Sequence, residues 1–447
     1  AQVAAAIRAA DADIVGLQEP EGNSRAIADM LGWSYVEERA HLISRYPLFH
    51  AERDGVGFAY VEIAPLQVVA IANTHLPSDP YGPYAVRDGS TAEEVLQLER
   101  DTRMSTLEPF TAALPKIAAE GVPTFLVGDF NSPSHLDWTA AASKAFALVK
   151  YPLEWPVSKL LADKSFVDSY RAVHKDPVAK PGVTWTPGYP HPMVKQDETF
   201  DRIDQIYALG AAKPIDSQVV GEAGNPEQVD IAIDPWPSDH RAVVSTFAVE
   251  PGATPDLVAV EPRRVAPGEV FVVRVATLKT KDLGIIGVFP AGSAEDAPAI
   301  TSVPLDWSDH LAAPFGTLRL APGRYLAGFT SAAGKRLASA EFWVVDPAAK
   351  PEIAVAKASV KSGDPIDVSW KSAPGNKFDW IGIYNADDPD LYNYLGYLYT
   401  SATIAGGTSF KTEDFGDPLP PGEYEARLMR DDAYVELAIG KFTVTAP

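Results

Sequence analysis

The 447-residue sequence has no cysteine and only four methionines. The first absence excludes a disulfide framework, a thiolate metal site and a thiol nucleophile. It leaves the redox compartment open. No run of apolar residues approaches the roughly 20 that a membrane-spanning helix requires. Positive charge is scarce as well: 38 Lys+Arg stand against 60 Asp+Glu, a formal net charge of −22. The deficit is uneven, with 20 Lys+Arg against 35 Asp+Glu over residues 1–250. Proteins hold long nucleic acids chiefly by neutralising phosphates with Lys and Arg. A surface this acidic opposes such a polyanion unless bound cations reverse the local field.

What is present reads as a soluble globular chain, 46% apolar and 22% charged, long enough for two or three domains. Ala1–Ala10 has the pattern of the middle of an amphipathic helix, with Val3, Ile7 and the alanines on its apolar face. That pattern leads us to expect further chain upstream of Ala1. Residues 1–250 then alternate strand-like and helix-like stretches. Asp13–Gln18, Thr124–Val127, Ile203–Tyr207 and Ala242–Phe247 read as short strands, and Val56–Ile63 and Leu66–Thr74 as a pair turning near Pro65. Thr91–Ala113 reads as a helix striped by Val95, Leu98 and Leu107. Pro251–Pro255 reads as a linker.

Beyond the linker the sequence holds only short alternating strands and Gly/Pro turns, and it repeats. Ile286-Gly287-Val288-Phe289 matches Ile381-Gly382-Ile383-Tyr384 at an offset of 95, the same offset that separates Gly268 from Gly363. Leu320–Tyr325 matches Leu419–Tyr424 at an offset of 99. The expected organisation is a first domain at 1–250 followed by two immunoglobulin-like β-sandwiches at 256–347 and 351–447.

Five short segments carry the chemistry, each at the end of an apolar strand or in the loop after one. They are Gly16-Leu17-Gln18-Glu19, Asn73-Thr74-His75-Leu76, Gly128-Asp129-Phe130-Asn131, Arg202-Ile203-Asp204-Gln205 and Ser238-Asp239-His240. Glu19, Asp129, Asp204 and Asp239 supply hard anionic oxygens, which suit Mg²⁺, Mn²⁺ or Ca²⁺. Asp129 and Asn131 are two apart, so in an extended segment both side chains point the same way. One can act as base while the other donates an amide to a phosphate oxygen. Asp239 and His240 are adjacent, and His75 offers a second imidazole.

In order and approximate spacing these segments resemble the endonuclease/exonuclease/phosphatase superfamily, which includes deoxyribonuclease I-like nucleases and inositol and sphingolipid phosphoesterases. The resemblance covers nearly all of residues 1–250. It implies a two-layer α/β sandwich and metal-dependent hydrolysis of a phosphate ester by in-line water attack. By the resemblance Glu19 is the main metal ligand, Asp129 orients or deprotonates water, and Asn131 holds the phosphate. By the same resemblance Asp204 orients a catalytic histidine or assists the leaving group, and Asp239 pairs with His240 or the metal. His240 contacts the phosphate as base or electrostatic stabiliser, and His75 stabilises the phosphate or protonates the leaving oxygen; the sequence leaves open which residue is the base. The superfamily also opens with a strand ending in an asparagine, expected here upstream of Ala1.

With the acidic composition, a small phosphodiester, phosphomonoester or lipid headgroup is favoured as partner over DNA or RNA. A non-catalytic protein with adhesion modules is the alternative from another class. Arg103 is expected on a solvated helix face, with reach to the site as the alternative, and His41, His50, His135, His174, His191 and His310 in structural or surface roles. The loop Pro77–Tyr84 and those around Trp155 and Trp185 can line a pocket. Phe378–Tyr384 with Tyr397-Leu398-Tyr399 resembles a SKICH-type domain. The last two modules are expected as spacers or as contacts to a surface or glycan, and multi-module tails of this kind are associated with extracellular or periplasmic proteins.

Overall fold

A computed structural model describes residues 1–189, 191–279, 281–305 and 312–447. His310 lies outside the described residues. The chain divides into two compact units, residues 1–18 with 26–254, and residues 19–25 with 255–447. No helix among the described residues is long and apolar enough to cross a membrane.

The first unit opens with the helix Gln2–Ala9, which buries Ala4, Ala6 and Ile7. Val3, expected on that face, is 36% exposed. Three short strands follow, β1 (Ile14–Gly16), β2 (Tyr35–Glu37) and β3 (Leu42–Ser44), paired in the order β1-β3-β2. The main sheet is built from β4 (Leu48–Arg53), β5 (Val56–Ala64), β6 (Gln67–His75), β7 (Thr124–Asp129), β8 (Val167–Asp168) and β9 (Asp204–Leu209), in the order β4-β5-β6-β7-β9-β8. A third sheet pairs β10 (Ala212–Glu222) with β11 (Ile231–Ile233) on one side and β12 (Ala242–Val249) on the other.

The main sheet buries Leu48, Val61, Ile71, Phe125 and Ala208 in a core shared with Leu42 of β3. Ile14 of β1 and Phe247 and Val249 of β12 pack against the same core. The Phe125 and Phe247 rings meet edge-on with centroids 4.8 Å apart. Two three-stranded sheets thus cover one face of the main sheet, giving the expected two-layer α/β sandwich. The helix Ala92–Ala119 packs against β5 and β7. It starts where a capping box forms: Thr91 Oγ1 accepts from the Glu94 amide (3.3 Å), and the Glu94 carboxylate accepts from the Thr91 amide (2.8 Å). It outruns its expected end at Ala113 and continues through Pro109 and Pro115. Burial of Leu107, Leu114 and Ile117 offsets the backbone hydrogen bonds those prolines forgo.

The linker is partly strand. Gly252 and Ala253 form β13, pairing with Val68 and Gln67 at the start of β6. β7 joins β6 only from Ala70 onward, which leaves that stretch of ladder for another partner.

The second unit contains two sandwiches of one topology, each a three-stranded sheet beside a five-stranded one. The repeat seen in sequence survives in register. Ile286 pairs with Val303 and Phe329, while Ile381 pairs with Leu398 and Leu428, each partner displaced by 95 or 99 residues. Gly268 and Gly363 make the same left-handed turn, at φ +90° and +89°. Ile366–Lys371 alternates buried and exposed residue by residue, the signature of a strand with one face on a core. Residues 19–25 belong to this unit, and the Gly22 amide donates to the Asp431 carboxylate (2.7 Å).

Candidate functional site

Strand register assembles the site. β6, β7 and β9 lie side by side, with His75 opposite Asp129 and Asp129 opposite Asp204. Partners across a ladder project to the same face of a sheet. An imidazole and two carboxylates from three distant motifs therefore stand in one row. The approach of β6 to β7 depends on Gly128, at φ +150°, since a Cβ there would lie 2.0 Å from the Thr74 carbonyl oxygen.

His240, two residues before β12, closes the row from the other layer. Its Nδ1 lies 2.9 Å from Asp204 Oδ2, and its Nε2 lies 3.9 Å from Asp129 Oδ2. His75 Nε2 lies 3.7 Å from the same Asp129 oxygen. Asp129 is thus flanked by two imidazoles. Burial works against a charged His240, but Asp204 outweighs it by charge and hydrogen bond, and Asp129 and Asp239 add to it. The net result pushes the imidazole pKa up to about 10. With Nδ1 held by Asp204, Nε2 is the nitrogen turned toward Asp129.

Asn131 sits at φ +47° directly after the strand. Its backbone N–H donates to Asp129 Oδ1 (2.8 Å) and its side-chain amide donates to the Leu76 carbonyl (2.9 Å). One amide hydrogen remains for a further acceptor. The same two strand ends are tied to β1: Gln18 Nε2 donates to Asn73 Oδ1 (2.6 Å), and Asn73 Nδ2 donates to the Leu17 carbonyl (2.9 Å).

Asp239 directs its backbone carbonyl to the Thr186 hydroxyl (2.6 Å), and its carboxylate accepts from Ser238 at 3.4 Å. Glu19, at φ +47°, follows Gln18 in the segment grouped with the second unit. The donors that come together are Asp129, Asp204 and His240, each offering one ligand atom within 4.8 Å of the others. They form a candidate metal centre of two hard carboxylates and one imidazole, a donor set that fits a divalent cation. Glu19 and Asp239, expected as ligands, are not members of that set.

Several residues support the cluster, of which the sequence pointed only to the loops of Trp185 and Tyr81, as ones that can line a pocket. The Trp185 ring lies 4.8 Å from the His240 ring, and its backbone bridges both Asp201 and His240. Thr184 Oγ1 accepts from the amides of Ile203 and Asp204 (3.0 Å each). Asp201 is fully buried, accepting from Tyr81 Oη (3.1 Å) and Trp138 Nε1 (3.0 Å), and burial raises its pKa to about 6. Arg202 does not pair with Asp204. It binds Asp168 through two nitrogens, at 3.2 and 2.6 Å, and reaches Asp137, which also holds Arg171.

Arg103 is the clearest correction. Expected on a solvated face, it is 0% exposed and paired with equally buried Glu99 (2.8 Å). Its other contacts are the carbonyls of Ser78 (2.9 Å) and Pro80 (3.1 Å), in the loop after His75. Glu99 accepts from Ser132 Oγ (2.7 Å), in the loop after Asn131. One ion pair therefore clamps both loops that leave the site. A signal existed, because Val95, Glu99, Arg103 and Leu107 are spaced by four and share the buried helical face. The five other described histidines lie apart from the cluster: His41 is buried, His50 lies near Glu37 and Glu52 (3.7 and 3.5 Å), His135 meets Ser158, His174 the Ser217 carbonyl and His191 the Pro187 carbonyl.

Comparison with known proteins places this geometry. Residues 1–240 match the model of the Endonuclease/Exonuclease/phosphatase family. A Caenorhabditis elegans protein, uncharacterized protein F14F9.5, is 27% identical over 261 residues, covering 53% of this chain and 81% of its own length. Among solved structures, an endonuclease/exonuclease/phosphatase from Beutenbergia cavernae is 16% identical, with a TM-score of 0.32, over 76% of this chain and 93% of its own. An AP endonuclease from Archaeoglobus fulgidus is 17% identical, with a TM-score of 0.36, over 55% of this chain and 93% of its own. With a family model matched over more than half its length, and the row of His75, Asp129 and Asp204 closed by His240, the chain belongs to the Endonuclease/Exonuclease/phosphatase family.

Proposed function

We propose that this protein is a divalent-metal-dependent phosphoesterase in which water attacks the phosphorus directly. The observation that carries the reading is the convergence of His75, Asp129, Asp204 and His240 at the ends of three adjacent strands and the start of a fourth. Asp129 orients and deprotonates the attacking water. Its Oδ1 is held by the Asn131 amide, which leaves Oδ2, between the two imidazoles, as the proton acceptor. Asp204 holds His240 so that Nε2–H faces the phosphate as a charged donor. His75 stands on the other side of Asp129 and protonates or stabilises the leaving oxygen. The second Asn131 amide hydrogen binds a phosphate oxygen.

A divalent cation, when bound, supplies a positive charge that offsets the charge building on the phosphoryl oxygens. Asp129, Asp204 and His240 are the competing ligand set, open to a cation only with His240 neutral, since an imidazolium has no lone pair to offer. Glu19 and Asp239 enter the proposal as ligands through their motifs, and that arrangement leaves the His240–Asp204 pair free for proton chemistry. The acidic balance of residues 1–250 supports a small or headgroup-sized ester over a long polyanion.

The test is release of nitrophenol from bis- and mono-nitrophenyl phosphate with Mg²⁺ or Mn²⁺, with cation affinity measured in parallel. Wild-type protein is expected to turn over at least one ester, and Asp129→Ala to lose about 10³-fold or more. If Glu19→Gln and Asp239→Asn weaken cation binding while Asp204→Asn does not, the ligands are those of the motifs; the reverse assigns the cation to the cluster. Absence of turnover with any cation defeats the proposal.

A further inference from the structure

Residues 186–189 and 191–200 lie in a loop closed at its base by the two backbone hydrogen bonds between Trp185 and Asp201 (2.9 and 2.8 Å). The base is built into the site. Trp185 packs on His240, and Thr186 holds the Asp239 carbonyl. Buried Glu198 pins the returning strand, accepting from Tyr84 Oη (2.6 Å), Trp185 Nε1 (3.3 Å) and the Thr199 amide (3.0 Å). Apolar side chains of the loop stand open to solvent: Tyr189 is 57% exposed, Met193 62% and Val194 44%, and Phe200, beside the base, 47%. A hydrogen bond from the Tyr189 amide to the Met193 carbonyl (2.8 Å) folds the tip.

Single exposed apolar residues need no explanation, but four on one anchored loop beside a catalytic histidine do. We infer that this loop seats the active site on a zwitterionic phospholipid surface, so that the ester hydrolysed is a lipid headgroup phosphate; this rests on the phosphoesterase reading above. Three observations favour a lipid surface of that charge. The exposed side chains are an aromatic with a polar tip, a flexible thioether and two hydrocarbons, the kind that enters the headgroup–acyl boundary. Charge within the loop nearly cancels: Lys195 lies over the Tyr189 ring (5.8 Å to the centroid), Asp197 pairs with Arg87 (3.5 Å) and Glu198 is buried. The 35 Asp+Glu against 20 Lys+Arg of residues 1–250 oppose an anionic surface and leave a zwitterionic one unopposed. A headgroup phosphate lies at the boundary such a loop occupies, and the loop's base touches the groups that act on phosphate.

The experiment uses the full chain and sedimentation with phosphatidylcholine vesicles, with phosphatidylglycerol vesicles in a parallel series. Hydrolysis of bis-nitrophenyl phosphate is measured on the same preparations. Wild type is expected to sediment with phosphatidylcholine. The double variant Met193→Ser with Phe200→Ser is expected to lose roughly tenfold in vesicle affinity per side chain, with soluble-ester turnover within about twofold of wild type. Unchanged turnover also shows that the variant is folded; if it falls, Val194→Ser, a smaller change, is measured in its place. Failure of wild type to bind phosphatidylcholine, binding to phosphatidylglycerol alone, or equal binding by wild type and variant each overturns the inference. Vesicle binding that is lost in the variant, in a protein inert toward every soluble ester, would leave the docking loop standing and remove the phosphoesterase reading.

Discussion

The two compact units hide different things. The sandwiches of the second unit bury hydrocarbon and aromatic rings in alternating strands: Phe271, Ile286, Phe329 and Phe342 in one, Trp370, Ile381, Leu428 and Phe442 in the other. The first unit has an apolar core too, but around its site it buries charge, with Glu99, Arg103, Asp129, Asp168, Asp201 and Arg202 all under 9% exposed. Buried charge is costly and adds little net stability over well-packed hydrocarbon. Its concentration beside three strand ends indicates that it is kept there to hold loops and side chains at fixed positions. The second unit buries charge as well, in the Glu425–Arg427 pair (2.7 Å) and in Asp379 and Asp431, but the clusters that repeat in its two sandwiches are apolar throughout.

This contrast can be broken at its strongest point by Arg103→Met. Removing the guanidinium orphans the buried Glu99 carboxylate and is expected to cost about 3–5 kcal/mol in the unfolding of the first unit. Pairing it with Glu99→Leu is expected to recover most of that stability. Turnover of a soluble ester should not recover, because the loops after His75 and Asn131 lose their polar anchors. Recovery of both by the double variant would reduce the ion pair to a core element.

Phe329→Ala, in the second unit, sharpens the comparison from the other side. It opens a cavity in a wholly apolar cluster and is expected to cost about 3–5 kcal/mol in that unit's transition. A second substitution that fills the cavity should restore it with no charge partner required. The smallest effect is expected at Thr91→Ala, which removes one side of the capping box and should cost about 1 kcal/mol, read as a shift in denaturation midpoint. A loss as large as that of Arg103→Met would mean that the helix start, and not the ion pair, secures the loops.

The two units also differ in how much of them could be read from sequence. The sandwiches were legible because alternation and a 95-residue repeat are properties of the sequence itself, and the paired turns at Gly268 and Gly363 carry the same φ. The row of candidate site residues was legible in part. Three motifs end strands as expected, while Arg202–Gln205 opens β9 and Ser238–His240 precedes β12; once β6, β7 and β9 are neighbours the register alone aligns His75, Asp129 and Asp204. Trp185 was legible only as part of a loop that can line a pocket, and Thr184 and Asp201 were not legible as members of the site, since their positions follow from a long loop folding back between β9 and the segment before β12. Arg103 was misread because a charged helical residue is usually solvated. Its spacing with Val95, Glu99 and Leu107 was the better guide. The linker held as a boundary, since the units divide between Thr254 and Pro255, but its strand pairing was not legible, because the ladder positions of β6 that receive Gly252 and Ala253 exist only in the assembled sheet.

The central claim is that Asp129 and His240, from motifs over a hundred residues apart, act as one catalytic unit. The most direct measurement is a cycle of Asp129→Ala, His240→Ala and their combination, with kcat determined on a soluble nitrophenyl ester at saturating cation. The account predicts that each single variant loses about 10³-fold or more and that the double is scarcely slower than the worse single, because groups that serve one step cannot be lost twice. Full activity in either single variant, or losses that multiply in the double, would contradict it.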